Sequence, residues 1–198
     1  MKCIAITQRV DTLSERNEKR DSLDQRWVKL IKKAGYTPLI LPNDIDAMFC
    51  LVKNVLIQGV IFSGGNDLVS YGGDAIERDE MEFALLEHVI TEKIPTLGVC
   101  RGMQLFQHYW SLQLKRLDGH ICDKQKIVIN GSYEYVNSYH HWGTDENDPV
   151  FEVFAQSDDQ TIKGIKHKDL PIMGIMWHPE RISPFRTEDI NLLKRVFN

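Results

Sequence analysis

The sequence predicts an α/β fold: an open, mostly parallel central sheet with helices on both faces and β-hairpin additions in the second half. Three observations predict it. Short apolar runs alternate with amphipathic helical patterns through the first half of the chain. The run Pro95 to Val99 turns at once into Gly98-Val99-Cys100-Arg101-Gly102 and a helical pattern through Leu105, Phe106, Tyr109 and Trp110. In the second half, Asn130-Gly131 sits between runs rich in Val, Ile and Tyr, a strong hairpin signal. The 198 residues suit a single domain, 1–198.

In chain order, Cys3 to Thr7 reads as a central strand and the charged stretch Arg9 to Asp21 as a loop. Ser22 to Ala34 is a helix by the spacing of Leu23, Trp27, Leu30 and Ile31, with Gly35 as its stop. Tyr36 to Leu41 is a strand bounded by Pro42-Asn43, and Ile45 to Asn54 a helix. Val55 to Phe62 is a strand that ends at Ser63-Gly64-Gly65. Asp79 to Glu92 is a helix with Met81, Leu85, Val89 and Ile90 on one face. Ile127 to Tyr139 forms the hairpin, and Phe151 to Ala155 with Thr161 to Lys166 a second pair. Pro171 to Trp177 is a buried strand leading into His178-Pro179-Glu180, and Glu188 to Phe197 closes the pattern as a helix.

Composition narrows the function. A net charge of −4 gives no reason to expect nucleic acid or an anionic membrane as partner. No run approaches the ~18 apolar residues of a membrane span, and the run from Met1 to Ile6 is too short for a signal-peptide core. The four cysteines, Cys3, Cys50, Cys100 and Cys122, form no C-x-x-C pair. A reduced, cytoplasmic protein is the expectation.

Cys100 is the candidate nucleophile. Its alternative is a buried structural cysteine at a strand end. The glycines on either side fit a turn too tight for side chains, and the sulfur would sit near a helix N-terminus, where a thiolate is favoured. A thiolate needs a base, and the base needs a partner that fixes its orientation. His178-Pro179-Glu180 supplies both from one turn after a strand. Glu180 can hold one imidazole nitrogen while the other faces Cys100. Acyl transfer also develops charge on the substrate oxygen, which backbone N–H groups must meet. The Gly64-Gly65 turn and the N–H of Arg101 are candidates, although a Gly-Gly after a strand is also an ordinary turn.

Together these pieces resemble the class I glutamine amidotransferase family, in which a Gly-Gly loop, G-x-C-x-G-x-Q and H-P-E occur in this order. The likeness covers nearly the whole chain. It implies a flavodoxin-like sheet, a catalytic triad of Cys100, His178 and Glu180, and an oxyanion hole from backbone N–H groups near Gly65 and Arg101. It implies that Gln104 and Gly64 help seat a glutamyl group. Val136-Asn137-Ser138-Tyr139-His140-His141, with Arg78-Asp79, resembles the γ-glutamyl hydrolase branch, peptidase C26. That branch implies a glutamyl pocket lined by Asn137, Ser138, Tyr139 and His140, largely through backbone. His120, Cys122, His140 and His141 lack metal-ligand spacing, and no metal or cofactor is expected.

At whole-chain level the sequence resembles the γ-glutamyl-CDP-amidate hydrolase group, which releases glutamate and cytidine diphosphoramidate for capsular polysaccharide modification. No motif marks a nucleotide site: there is neither a Walker A loop nor G-x-G-x-x-G. Arg78, Arg181 and Arg186 are candidates to meet a diphosphate, with a solvated surface arginine as the alternative for each. Two departures bear on the leaving group. Trp142 stands where relatives often carry glutamine, and the segment from Asn66 to Glu77 is short, which predicts an open site and a leaving group bulkier than a small amine. The expected partner is a small γ-glutamyl compound. A γ-glutamyl-aminobutyrate-type hydrolase and a glutaminase subunit that passes ammonia to a separate synthetase are the alternatives.

Overall fold

The computed structural model describes residues 2–198, with Met1 outside them. The elements run β1 (Cys3–Ile6), β2 (Arg9–Leu13), β3 (Glu18–Ser22), α1 (Gln25–Lys33), β4 (Thr37–Ile40), α2 (Ile45–Asn54), β5 (Ile57–Phe62) and α3 (Ile76–Thr91). They continue with β6 (Thr96–Val99), α4 (Arg101–Tyr109), β7 (Lys115–Arg116), β8 (Ile121–Ile129), β9 (Ser132–Tyr139), β10 (Trp142–Gly143), β11 (Phe151–Ser157), β12 (Ile162–His167), β13 (Ile172–Ile175) and α5 (Thr187–Phe197).

One nine-stranded sheet has the order β4-β1-β5-β6-β13-β12-β11-β8-β9. From β4 to β13 every pairing is parallel. From β13 to β9 every pairing is antiparallel. The hairpins expected in the second half therefore extend the parallel sheet itself. Side chains alternate between its faces. Ile4 and Ile6 face α1 and α5, through Trp27, Leu30, Leu193 and Phe197. Ala5, Val60 and Phe62 face α2, α3 and α4, through Met48, Leu85 and Phe106. Asp24 and Asp44 begin α1 and α2 by accepting N–H bonds from Arg26 and Ala47.

The stretch from Arg9 to Asp21, expected as a loop, is instead the ribbon β2–β3, paired from Arg9↔Ser22 to Leu13↔Glu18. Asn17, at φ 47°, closes its turn. Of the ten residues in its two strands, Val10 alone is buried, so the ribbon carries no alternating apolar signal. Asn66 ties it to the chain after β5: its Oδ1 accepts from Val10 N at 2.9 Å and its Nδ2 donates to Val10 O at 2.9 Å.

The parallel strands β1, β5, β6 and β13 end on one edge, where ligands of such sheets gather. Gln8-Arg9, Ser63-Gly64-Gly65, Cys100 and His178 follow those four strands in turn.

Candidate active site

Cys100 sits between β6 and α4 at φ 53° and ψ −103°, a conformation rare for a side-chain-bearing residue. The fold leaves the chain no room to relax there. A Cβ on Gly98 would stand 2.7 Å from the Gly102 carbonyl carbon, and a Cβ on Gly102 would strike the Phe62 carbonyl. Cys100 N donates to Ile175 O at 2.7 Å, fastening the turn to β13.

From β13 the chain delivers His178. Its Nδ1 donates to Glu180 Oε1 at 2.8 Å, and both side chains are buried. Asn137 clamps the His178 backbone from both sides: His178 N donates to Oδ1 at 2.7 Å and Nδ2 donates to His178 O at 2.9 Å. Burial opposes a charge on the His178 ring, but Cys100 and then Glu180 outweigh it and raise its pKa to about 9. His178 Nε2 is buried and makes no aligned hydrogen bond, although the ring feels the neighbouring sulfur. Such contacts often tighten only when substrate binds. Gly64 fits against the pair; a Cβ there would lie 2.7 Å from His178 Cε1 and 3.5 Å from Cys100 Cβ.

The Ser63-Gly64-Gly65 loop is held from behind by Arg78. Its guanidinium donates to Ser63 O at 2.8 Å, to Gly64 O at 3.2 Å and to Gly65 O. A trans peptide points its N–H opposite to its C=O. With three carbonyls turned to Arg78, the N–H groups of Gly64, Gly65 and Asn66 face the other way. Arg78 also donates to Glu82 Oε1 at 3.0 Å, and Arg101 joins Glu82 and Asp79. Burial would raise Glu82, but Arg101 and Arg78 hold it below the usual carboxylate range. One buried network thus connects the loop to the residue after Cys100.

A cavity of about 300 Å³ is lined by Cys100, Gln104, Tyr139, His140, His141, His178, Gly65, Arg9, Asn66, Asp67 and Arg181. Gln104 and His140 are set by one acceptor, the Trp142 carbonyl, which takes Gln104 Nε2 at 2.8 Å and His140 Nδ1 at 2.9 Å. The Trp142 ring packs on Tyr71 at 5.1 Å and is not part of the cavity wall. Asn137 and Ser138 stand behind the wall, and Gly64 lines an adjoining cavity. The Arg101 side chain is buried in the network, so only its backbone can serve a substrate.

Two of the three arginines expected at a diphosphate are elsewhere. Arg78 is buried and spent on the loop. Arg186 pairs with Glu134 and lines a larger cavity, about 500 Å³, beneath α5. Arg181 does reach the rim. Arg9 joins it there; its only sequence signal is its place just past a strand that ends on the functional edge. Lys163 was also silent in the sequence. It is buried beside the pocket, donating to His140 Nε2 at 2.6 Å and His120 Nδ1 at 2.7 Å. His120 Nε2 in turn donates to Asp159 at 2.8 Å. Both ring nitrogens of His120 and of His140 are therefore occupied. Among the described residues no helix is long and apolar enough to cross a membrane.

Residues 18–197 match the family model for glutamine amidotransferase class-I. A γ-glutamyl-CDP-amidate hydrolase of Campylobacter jejuni subsp. jejuni serotype O:2 is 36% identical over 98% of this chain and 97% of its own length. A glutamine-hydrolyzing GMP synthase of Francisella tularensis subsp. novicida is 29% identical over 79% of this chain but only 30% of its own length. A glutamine amidotransferase of Thermotoga maritima superposes with a TM-score of 0.69 at 14% identity, over 98% of this chain and 83% of that one. The chain belongs to the class I glutamine amidotransferase family.

Proposed function

We propose that this chain is a cysteine-dependent hydrolase of γ-glutamyl amides, with Cys100, His178 and Glu180 as its catalytic triad. The observation that carries the proposal is the convergence of Cys100, His178 and the Gly64-Gly65 loop at one cavity, with Glu180 bonded to the far side of the imidazole.

In this mechanism the Cys100 thiolate attacks the side-chain carbonyl carbon of the glutamyl group. A C–S bond forms and the carbonyl electrons move to oxygen, facing N–H groups of Gly65 and Arg101. Collapse breaks the C–N bond as His178 gives its Nε2 proton to the leaving nitrogen. The resulting thioester is attacked by water, whose proton passes to His178. The C–S bond then breaks, the thiolate is restored and glutamate leaves. Glu180 keeps the imidazole in the orientation that this double transfer needs. Gln104, Tyr139 and His140 shape the glutamyl pocket, with Asn137 and Ser138 supporting it.

The similarity to the C. jejuni enzyme, along nearly its whole length, favours γ-glutamyl-CDP-amidate as substrate. On this reading the product is cytidine diphosphoramidate, made in the cytoplasm for capsular polysaccharide modification. The match to a GMP synthase favours a second reading, a glutaminase that delivers ammonia to a synthetase. Incubation with an electrophilic glutamine analogue, followed by intact mass, tests the shared chemistry. One covalent adduct is expected on the native chain and none on Cys100→Ala. Adduct formation on both chains would refute the assignment. Turnover by the chain alone, unchanged by a synthetase, separates the hydrolase from the subunit.

A further inference from the structure

The reacting cavity does not end at the cysteine. A second cavity of about 300 Å³ adjoins it under the β2–β3 ribbon, lined by Ser22, Leu23, Asp24, Trp27 and Glu180 among others. Arg9, Gly65 and Arg181 line both. A leaving group that departs from Cys100 toward the second cavity passes along a wall that carries both arginines.

Both side chains are built into that position. Arg9 lies along the loop: its Cβ and Cδ are each 3.2 Å from where a Cβ on Gly65 would stand. Its Nε meets Asp11 at 2.7 Å, yet the side chain keeps 46% of its exposure. Arg181 lies over the Tyr139 ring at 4.9 Å, with Glu180 at 3.4 Å from its Nε, and keeps 32%. Each therefore has a neighbour that orients it and a guanidinium face open to solvent.

We infer that Arg9 and Arg181 form an anion subsite for the leaving group, and that they select substrates whose scissile nitrogen carries a phosphate. This rests on the hydrolase reading above and names its substrate class. In a phosphoramidate the phosphorus is bonded to the scissile nitrogen, so its oxygens fall immediately past the bond that breaks. Arg9 and Arg181 line the wall shared by both cavities, and a guanidinium's fork of donors matches phosphate oxygens. Beyond them the wall changes character. Asp11 and Asp24 line it, each already paired with an arginine, Arg9 and Arg26. An uncharged amine offers the two guanidinium groups no anion beyond Asp11 and Glu180, the partners they already have.

The test compares γ-glutamyl-CDP-amidate with γ-glutamyl-p-nitroanilide, whose leaving group is uncharged. The readout is the ratio of their kcat/KM values for the native chain, Arg9→Gln, Arg181→Gln and Arg9→Lys. Each glutamine variant should lower the ratio by about 10- to 100-fold, through KM for the phosphoramidate, as loss of a charge-assisted hydrogen bond requires. Arg9→Lys should keep part of it. Inorganic pyrophosphate should compete with the phosphoramidate in the native chain and lose potency in the glutamine variants. A ratio unmoved by both glutamine variants overturns the subsite. So does a native chain that cleaves the anilide and not the phosphoramidate, with the hydrolase reading intact. A native chain that cleaves neither refutes the hydrolase reading itself.

Discussion

Two buried charge clusters flank Cys100, and they are built on opposite plans. Behind the elbow, Arg78 and Arg101 face Asp79 and Glu82, two charges of each sign in direct contact. Across the pocket, the single ammonium of Lys163 is held by two imidazoles, with Ser138 Oγ at 3.4 Å, and its carboxylate, Asp159, reaches it only through His120. Arg78 and Glu82 of the first cluster keep their charges at neutral pH. Arg78 is lowered to about 10 by burial and by Arg101, still far above pH 7. The second can give its charge up. Burial lowers Lys163 to about 8, and burial with Lys163 lowers His140 to about 2, so His140 is a neutral wall. The difference teaches a division of labour. The paired cluster fixes backbone, while the lone ammonium sets a local charge that pH can remove.

The sharpest way to break this contrast is Arg78→Met. It leaves Glu82 short of a partner and frees the carbonyls of Ser63, Gly64 and Gly65. Loss of one partner from a buried pair costs about 3–5 kcal/mol. Urea denaturation should show a loss of that order, with turnover falling as the loop relaxes; a loss under about 1 kcal/mol would contradict the framing role.

Lys163→Met should cost less. It strands imidazole acceptors on His120 and His140, worth about 1–3 kcal/mol, against relief from a buried charge. Its pH dependence has a definite sign. The folded pKa lies below the unfolded one, so between about 8 and 10.5 the unfolded chain binds more protons and native stability rises with pH. The variant lacks that rise, so its deficit should widen above pH 8. A constant deficit would mean that Lys163 does not titrate there.

The smallest effect concerns His178, whose folded pKa is raised above the ordinary imidazole value of 6.5. Its contribution to stability is complete below pH 6.5 and is lost as pH rises through about 9. Cys100 is the strongest of the raising influences, so Cys100→Ala should flatten that fall. Parallel pH profiles for the native chain and Cys100→Ala would separate His178 from the cysteine.

The sequence carried this site unevenly, for physical reasons. Gly98, Gly102 and the His178-Pro179-Glu180 turn are local devices, visible wherever the chain must bend sharply beside a strand. The α2 bounds follow from its spacing and cap, and match the expectation from Ile45 to Asn54. The β2–β3 ribbon left no trace because neither of its faces packs as a core. Arg9, in β2, shares that silence. Lys163 lies in β12, one residue in a pair of strands read from apolar content, and its burial depends on His120 and His140 from elsewhere in the chain. Arg78 was legible as a family residue, but its partner is the loop's backbone and no pattern of side chains announces that.

The most direct test of the central claim is glutamate release by the purified chain alone, against glutamine, γ-glutamyl-aminobutyrate and γ-glutamyl-CDP-amidate, with Cys100→Ala as the control. The account predicts strong turnover of the phosphoramidate, weak turnover of the other two, and none by the variant. Glutamine turnover alone, rising on addition of a synthetase, would contradict it, as would a Cys100→Ala chain that still releases glutamate.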